Sequence, residues 1–559
     1  MAALLRTALG VNGKRIWRAF DRASREPEEA QARLLADILR ANRKTVYGQR
    51  HGFAQIKGTA DYAGNVPVVT FDDITPYVAR MKKGERSILT AEQPILFNVT
   101  SGTTSEPKYV PFTQKGLDAT ATRARLWLYR ALRDHPKSLD HSIVCISCPA
   151  VEGRTPAGIP YGSASGMMYR SLPRALHGSF ALPFVLSDIA DPELRYYLFA
   201  RMAMAAEPSF VVTPNPATLI RMAEIGMRYQ EDIVRSVRDG VISLGAPFKA
   251  GLADARIVTA VNRRLRPDPR KARFLEGVIC EHGKLFPHAC WKKLRLIGCW
   301  LGGSIGYQAD GLVPYFGRTA PRRDIGYLAS EGAMTIPCRD NTPAGILALH
   351  NNFYEFLPAK TDNVSETQPL ACHEVEVGRP YRILLTNRNG LYRYDIHDIV
   401  EVHGFYNRTP VIAFVRKGDD MLSIAGEKLH VNHLIAAFGR LCERTGICTT
   451  RFRAVPDYEA MRHELLVHFE TPQEPGRVRQ ALLPIVDRAL SDSNMEYAAK
   501  RATGRLNAPC IHVMDDEWSE DVRRSCATSR AGDAQYKWRA MAPCMSAVDA
   551  RHVCFSVTL

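Results

Sequence analysis

The residues best equipped for chemistry lie between Thr100 and Pro111, which read T-S-G-T-T-S-E-P-K-Y-V-P. Hydroxyl-bearing residues and a glycine stand between an apolar run at 94–99 and Lys108. Backbone N–H groups, hydroxyls and one cation gathered in so short a segment can hold a polyphosphate. The order is not that of the P-loop, G-x-x-x-x-G-K-[ST], because the lysine comes last and no Ser or Thr follows it to carry magnesium. A fold other than the P-loop is therefore expected around the phosphates.

Three more clusters accompany this loop. In Y-L-A-S-E-G, 327–332, a carboxylate sits in a turn of small residues. That suits Mg²⁺, which takes one or two carboxylates and completes its shell with substrate phosphates. In G-L-Y-R-Y-D-I-H-D, 390–398, the turn between two strands ends in Asp398, a candidate acceptor for ribose hydroxyls. In Q-Y-K, 535–537, a lysine stands among uncharged neighbours. Each alone has an ordinary explanation: Ser-Glu is common, Asp398 can cap a turn, and lysines are mostly solvated. Their order and spacing together carry the argument.

These residues must be positioned by a large frame. A chain of 559 residues is too long for one core, so two or more domains are expected. The charge of +16 is spread along the chain without a Lys/Arg block, which argues against a nucleic-acid surface. It suits a site for ATP and a carboxylate. The 13 cysteines are scattered, and no export signal or apolar run of about 18–20 residues is present. Free thiols, a cytoplasmic location and no membrane partner are the expectation.

Helical spacing is read over 14–44 with a break at Pro27, over 116–132, 192–205 and 217–238, and apolar strands at 142–148 and 210–213. Short β runs dominate 296–416. The remainder alternates helix near 430–444, strand 464–469, helix 475–491 and strand 510–514. The charged, Gly-containing stretch at 416–420 marks the domain boundary. The fold class is mixed α/β, with domains at 1–416 and 417–559. Cys145-x-x-Cys148 lies in an apolar strand and reads as core. His282, His288 and Cys290 match no zinc spacing well and are taken as structural. Glu355, between aromatics, is either structural or lines an acceptor path. The tail at 541–559 yields no reading.

The motif set resembles the Gretchen Hagen family of acyl acid amido synthetases, also called the auxin-responsive promoter family, a branch of the adenylate-forming enzymes. The likeness covers nearly the whole chain: T-V-Y-G-Q-R-H-G-F at 45–53, F-D-D-I-T-P-Y-V-A-R-M-K-K-G-E at 71–85, the T-S-G-T-T loop, Y-L-A-S-E at 327–331, F-Y-E-F-L-P at 353–358, G-L-Y-R-Y-D-I-H-D at 390–398, G-F-Y-N-R-T-P at 404–410, F-V-R-K-G-D-D-M-L-S-I at 414–424 and Q-Y-K at 535–537. The serine/threonine loop specifies the superfamily; G-F-Y-N, F-Y-E-F-L-P and Q-Y-K point to this branch.

The resemblance implies a large N-terminal adenylate-forming domain with β-sheets and a β-barrel flanked by helices, and a smaller, mobile α/β C-terminal domain. It implies ATP and Mg²⁺ as cofactors, a small carboxylic acid and an amino acid as substrates, and a monomer. It assigns the ATP phosphates to Ser101, Gly102, Thr103 and Thr104, with Lys108 beside them. Tyr327 and Phe353 border the adenine, Ser330 lines the nucleotide pocket, Glu331 binds Mg²⁺ and Asp398 takes the ribose. Arg416 sits at the hinge, and Lys428 and Lys537 face the nucleotide, with Lys537 and Thr103 among the catalytic groups with Glu331. Acyl transfer to coenzyme A or a carrier protein, and a non-catalytic nucleotide-binding relative, are the alternatives. Three departures stand out: Ser105 and His397 where the family has glycine, and Trp538 where it has proline after Q-Y-K. Histidine tolerates positive φ better than most residues, so the turn before Asp398 is expected to survive.

Overall fold

The computed structural model describes residues 2–100, 108–147, 149–163, 166, 167, 169, 174–242, 254–359, 367–418, 421–425, 427–502, 504–526 and 538–559. The chain divides into two compact units. One holds Met1–Gly302 with Leu312–Val415; the other is built mainly on Arg416–Thr528 and Tyr536–Leu559 and takes in Gly303–Gly311. The expected boundary lay at 416/417. The excursion at 303–311 has no counterpart in the charge pattern.

In the first unit Pro27 occupies the first turn of the helix Pro27–Asn42, where its missing N–H costs nothing. That helix buries Leu34, Leu35, Ile38 and Leu39 on one stripe. Three sheets follow. The first has the order β2-β1-β5-β4, with β1 Leu96–Thr100, β2 Lys108–Phe112, β4 Gly153–Arg154 and β5 Pro160–Gly162. β1 and β2 are antiparallel and close on the pair Thr100↔Lys108.

The second sheet is parallel: β3 Ser142–Cys145, β6 Pro208–Val212, β7 Leu296–Gly298 and β8 Arg322–Arg323. Parallel strands covered on both faces read as unbroken apolar runs, as at 142–145 and 208–212. The helix Pro192–Ala205, buried from Leu194 to Met204, packs with them in one apolar cluster. The expected helix 217–238 is two, Pro216–Arg228 and Gln230–Asp239, divided at Tyr229.

The third sheet has six strands, in the order β11-β12-β13-β14-β10-β9. They are β9 Thr335–Ile336, β10 Gly345–Leu347, β11 Asn352–Pro358, β12 Pro380–Asn387, β13 Tyr394–Tyr406 and β14 Thr409–Lys417. It occupies the β-rich stretch for which a barrel was expected. Asn407, at φ 52°, makes the tight turn from β13 to β14.

The second unit has a two-stranded ribbon, β15 Met421–Leu422 with β16 Leu429–His430. Its main sheet is β17 Thr449–Asp457, β18 Arg462–Phe469, β19 Cys510–Met514 and β20 Val553–Val557. The helices Val431–Thr445 and Leu483–Ser493 share its core. β20 comes from the tail the sequence left unread; it pairs antiparallel with β19 and completes the sheet. Trp538, the departure from the family's proline, donates its indole N–H to the Phe452 carbonyl at 2.6 Å and packs edge-on against Trp518.

The expectation of free thiols needs one correction. Gly446, at φ 69°, ends the helix Val431–Thr445 and turns the chain back, so Cys448 returns beside Cys442 and the two form a disulfide. Cys145, Cys290, Cys299, Cys338, Cys372 and Cys510, partly or fully buried, are free. Cys148 lies outside the described residues. Among the described residues, no helix is long and apolar enough to cross a membrane.

Candidate active site

The centre of the site is a four-residue reversal. Leu328 and Ala333 bridge antiparallel, and Ala329 and Gly332 exchange backbone hydrogen bonds at 2.9 and 3.2 Å. Ser330 and Glu331 form its tip and are half-exposed. Gly332 is required because a Cβ there would lie 2.9 Å from Oδ1 of Asn352. Three asparagines hold the reversal from outside it. Asn98 donates to the Ser330 carbonyl at 3.2 Å, Asn387 to the Glu331 carbonyl at 2.8 Å, and Asn352 to the Ala333 carbonyl at 3.1 Å. The Glu331 backbone is thereby fixed through its carbonyl.

Asn98 also ties strand β1 to this turn. It stands on β1 two residues before Thr100, where the β1–β2 hairpin opens into 101–107. Its bond to Ser330 brings the mouth of that hairpin to the Ser330–Glu331 tip. Ser101, Gly102, Thr103, Thr104 and Ser105 lie outside the described residues. Lys108 begins β2, and its ammonium lies 5.3 Å from the centre of the Phe71 ring.

Behind the reversal, the Tyr327 hydroxyl donates to Oδ2 of Asp398. Asp398 is 2% exposed and Tyr327 9%. Burial, and then the adjoining carboxylate, push the Tyr327 phenol well above its ordinary range, so it remains a proton donor. The Tyr327 ring lies 5.4 Å from that of Phe414. Asp398 gets its place from an irregularity in β13: Ile396, His397 and Asp398 stand opposite the single residue Ile383. His397 adopts φ 58° there, and its N–H is held by the Asp395 carboxylate at 2.8 Å. Asp395 is itself paired with Arg382. Histidine thus makes the turn for which glycine was the family's residue.

The approach to Tyr327 is held by two buried ionisable side chains. Asp324 accepts from the N–H groups of Leu301 and Gly326, both at 2.6 Å. Burial raises its carboxyl to about 7 against the pull of those bonds and of Arg123. Arg123, on the helix Gln114–Asp134, donates to the Ile325 and Thr335 carbonyls at 2.7 and 3.1 Å. The helix that follows β2 is thereby tied to the segments on either side of the turn.

Phe353 is buried on β11 with its ring edge-on to Tyr62, centroids 5.9 Å apart. Strand alternation puts it on the face opposite Asn352. Glu355, on the Phe353 face, is resolved as structural. It is 5% exposed and grips the Arg393 guanidinium at 3.0 and 3.1 Å. Arg393 also donates to the Ala63 and Val66 carbonyls, both at 2.8 Å.

In the second unit Arg416 is the first residue after the division, with its guanidinium on the Lys417 and Gly418 carbonyls. Lys428 is exposed. Lys537 lies outside the described residues. Among the described residues, one trio of ligand-type side chains converges, Glu464, Cys510 and His512. Arg462 and His512 hold the two carboxylate oxygens of Glu464, and Ser556 meets the other nitrogen of His512, which makes a closed polar network.

Sequence reading missed Asn98, Asn352, Asn387 and Asp324. The readable signal was a polar side chain interrupting an apolar strand, as in L-F-N-V-T. Which polar group each would meet was not readable.

Family models match three consecutive segments: the GH3 family N-terminal domain over 16–320, the central domain over 345–417 and the C-terminal domain over 432–543. The chain belongs to the GH3 family. Its GH3 relatives include indole-3-acetic acid-amido synthetase GH3.3 of Arabidopsis thaliana, 23% identical over 572 residues, 96% of this chain and 93% of that one. Jasmonoyl–L-amino acid synthetase JAR4 of Nicotiana attenuata is 26% identical over 434 residues, 73% of this chain and 72% of that one. The structure of AtGH3.15 acyl acid amido synthetase in complex with 2,4-DB matches with a TM-score of 0.84 at 18% identity, covering 98% of this chain and 97% of that one. The GH3 fold is therefore shared from end to end.

Proposed function

We propose that this GH3 protein is an ATP-dependent acyl acid amido synthetase: it adenylates a small carboxylic acid and passes the acyl group to the amine of an amino acid, releasing pyrophosphate and AMP. The observation that carries the reading is the bond from Asn98 to Ser330, which joins the opening of the hydroxyl-rich hairpin to the turn bearing Glu331.

A carboxylate is a poor acyl donor because its oxygen is a bad leaving group. Attack of that oxygen on the α-phosphorus of ATP breaks the bond to pyrophosphate and leaves a mixed anhydride. An amine then attacks the carbonyl carbon, AMP departs, and the amine loses a proton. Catalysis of both steps is positioning and charge neutralisation, with no covalent enzyme intermediate. Ser101, Thr103, Thr104 and the Gly102 backbone hold the phosphates, with Lys108 at the end of the loop. Glu331 is the residue that fits Mg²⁺, being a half-exposed acid at the tip of the turn that Asn98 of β1 ties to its own strand. Bound there, Mg²⁺ would offset charge on the phosphates. Asp398, oriented by Tyr327, accepts from the ribose; Tyr327 and Ser330 form the nucleoside wall, while Phe353 packs behind them in the core. Lys428 and Lys537 come from the second unit, Lys537 to the α-phosphate, with Arg416 at the hinge. The protein acts as a monomer in the cytoplasm.

The test is ATP–pyrophosphate exchange with Mg²⁺ and a panel of aromatic, indolic and fatty acids. Acid-dependent exchange that is lost in Glu331→Ala and Lys537→Ala supports the reading. Amino acids and coenzyme A, offered separately, then decide the acceptor. Binding of ATP without exchange for any acid would refute it.

A further inference from the structure

A buried free cysteine ordinarily behaves as a small apolar residue. Cys290 and Cys299 do so in the cluster around the parallel sheet, and Cys372 in the cluster around the six-stranded sheet. Cys510 on β19 is as buried, 1% exposed, but its surroundings are polar. Its strand neighbours Ile511 and Val513, with Leu465 and Val467 of β18, face the core shared with the helices. Strand alternation therefore puts Cys510, His512 and Glu464 together on the opposite face. The register sets them side by side: Glu464 pairs with Cys510, and His512 with Ser556 of β20. The Cys510 sulfur, a ring nitrogen of His512 and a carboxylate oxygen of Glu464 all lie within 4.8 Å of one another.

The far atoms of this trio are already held. Oε1 of Glu464 accepts from Nε of Arg462 at 2.7 Å, and Nδ1 of His512 meets Oγ of Ser556 at 2.7 Å. Oε2 and Nε2 are left to meet each other beside the sulfur. Ligating imidazoles and carboxylates are oriented in this way, by hydrogen bonds on the atoms turned away from the metal. One sulfur, one nitrogen and one oxygen donor suit Zn²⁺, whereas Mg²⁺ and Ca²⁺ take oxygen shells. The thiolate and the carboxylate supply two negative charges. A cation takes the place of the thiol proton, which goes to solvent, and of the proton between Oε2 and Nε2. The imidazole is left neutral, with its remaining proton on Nδ1 toward Ser556. Ser556 is exposed, so water can reach a fourth position.

We propose that Glu464, Cys510 and His512 form a Zn²⁺ site on the sheet of the second unit, with Arg462 and Ser556 orienting the ligands and water in the fourth position. All five residues belong to the second unit, and the site is independent of the amido synthetase reading. Zn²⁺ there links β18 to β19 through side chains, so its binding stabilises this unit.

The experiment uses the full chain, stripped with a chelator and titrated with Zn²⁺ against a chromophoric competitor. Wild type should bind one equivalent with a Kd of about 1 μM or tighter, and an excess of Mg²⁺ should not compete. Cys510→Ser, close in volume, should weaken binding by at least about 100-fold, and Ser556→Ala by about 10-fold through the imidazole it orients. Co²⁺ should give a thiolate-to-metal charge-transfer band in wild type and none in Cys510→Ser. The triple variant Cys280→Ser/Cys544→Ser/Cys554→Ser, which removes exposed thiols, should keep both the affinity and the band. Zn²⁺ should raise the unfolding temperature of wild type and not of Cys510→Ser. Should Cys510→Ser fail to fold, the wild-type cobalt band and its loss in His512→Gln decide the matter. A wild-type Kd weaker than about 1 μM overturns the proposal. So does a cobalt band that persists in Cys510→Ser or in His512→Gln, or one that disappears with the exposed thiols.

Discussion

Asp324→Asn probes the frame that carries Tyr327. Asp324 is 3% exposed, and its two oxygens each accept one backbone N–H. Burial lifts its carboxyl to about 7. The sign follows from linkage. Because the folded value lies above the ordinary one, the contribution of Asp324 to stability is full below the unfolded value and is lost as pH rises through about 7. From the model value 3.8 to about 7, at about 1.4 kcal/mol per pH unit, the loss is about 4 kcal/mol. Asparagine does not titrate, but its amide must face one of the two N–H donors, at a cost of about 1–3 kcal/mol. The variant should therefore be less stable than wild type by about 1–3 kcal/mol near pH 4. It should draw level with or overtake wild type above about pH 8. Urea unfolding read by tryptophan fluorescence measures this; the Trp127 indole donates to the Asp324 carbonyl and reports locally. Comparing the two proteins at each pH cancels the titrations they share. A stability difference that stays constant between those two pH values would refute the argument.

Arg393→Met should cost about 3–5 kcal/mol in the same assay, because it strands the buried Glu355 carboxylate and two carbonyls. A loss below about 1 kcal/mol would show the pair to be dispensable. Asp398→Ala should raise the Kd for ATP about 10- to 100-fold by calorimetry, the worth of a hydrogen bond to a charged group; unaltered binding would remove Asp398 from the ribose. Trp538→Ala should destabilise the second unit by about 2–3 kcal/mol, through the lost indole bond and the contact with Trp518. Thermal unfolding of the two units, followed separately, checks that the first is unaffected.

His397 shows how local chemistry carries through to the site. The sequence permits a left-handed histidine there, and the structure uses one to shorten the path of β13 and aim Asp398 at Tyr327. Glu355 shows the opposite. Its flanking aromatics left two roles open, and only the arrival of Arg393 from 38 residues away settled the matter.

The sequence by itself determined the elements whose signals are local. These are the apolar runs of the parallel strands, the helix break at Pro27, the order of the motifs and the charged stretch near the division of the chain. Periodicity and turn chemistry act over a few residues, so they can be read in a single window. Tertiary structure alone decided what depends on long-range pairing. Asn98 reaches Ser330 across 232 residues, and Tyr327 reaches Asp398 across 71. The tail at 553–557 becomes a strand only because β19 offers it an edge. A buried polar group must find a partner wherever the chain returns beside it, and no local pattern encodes where that is.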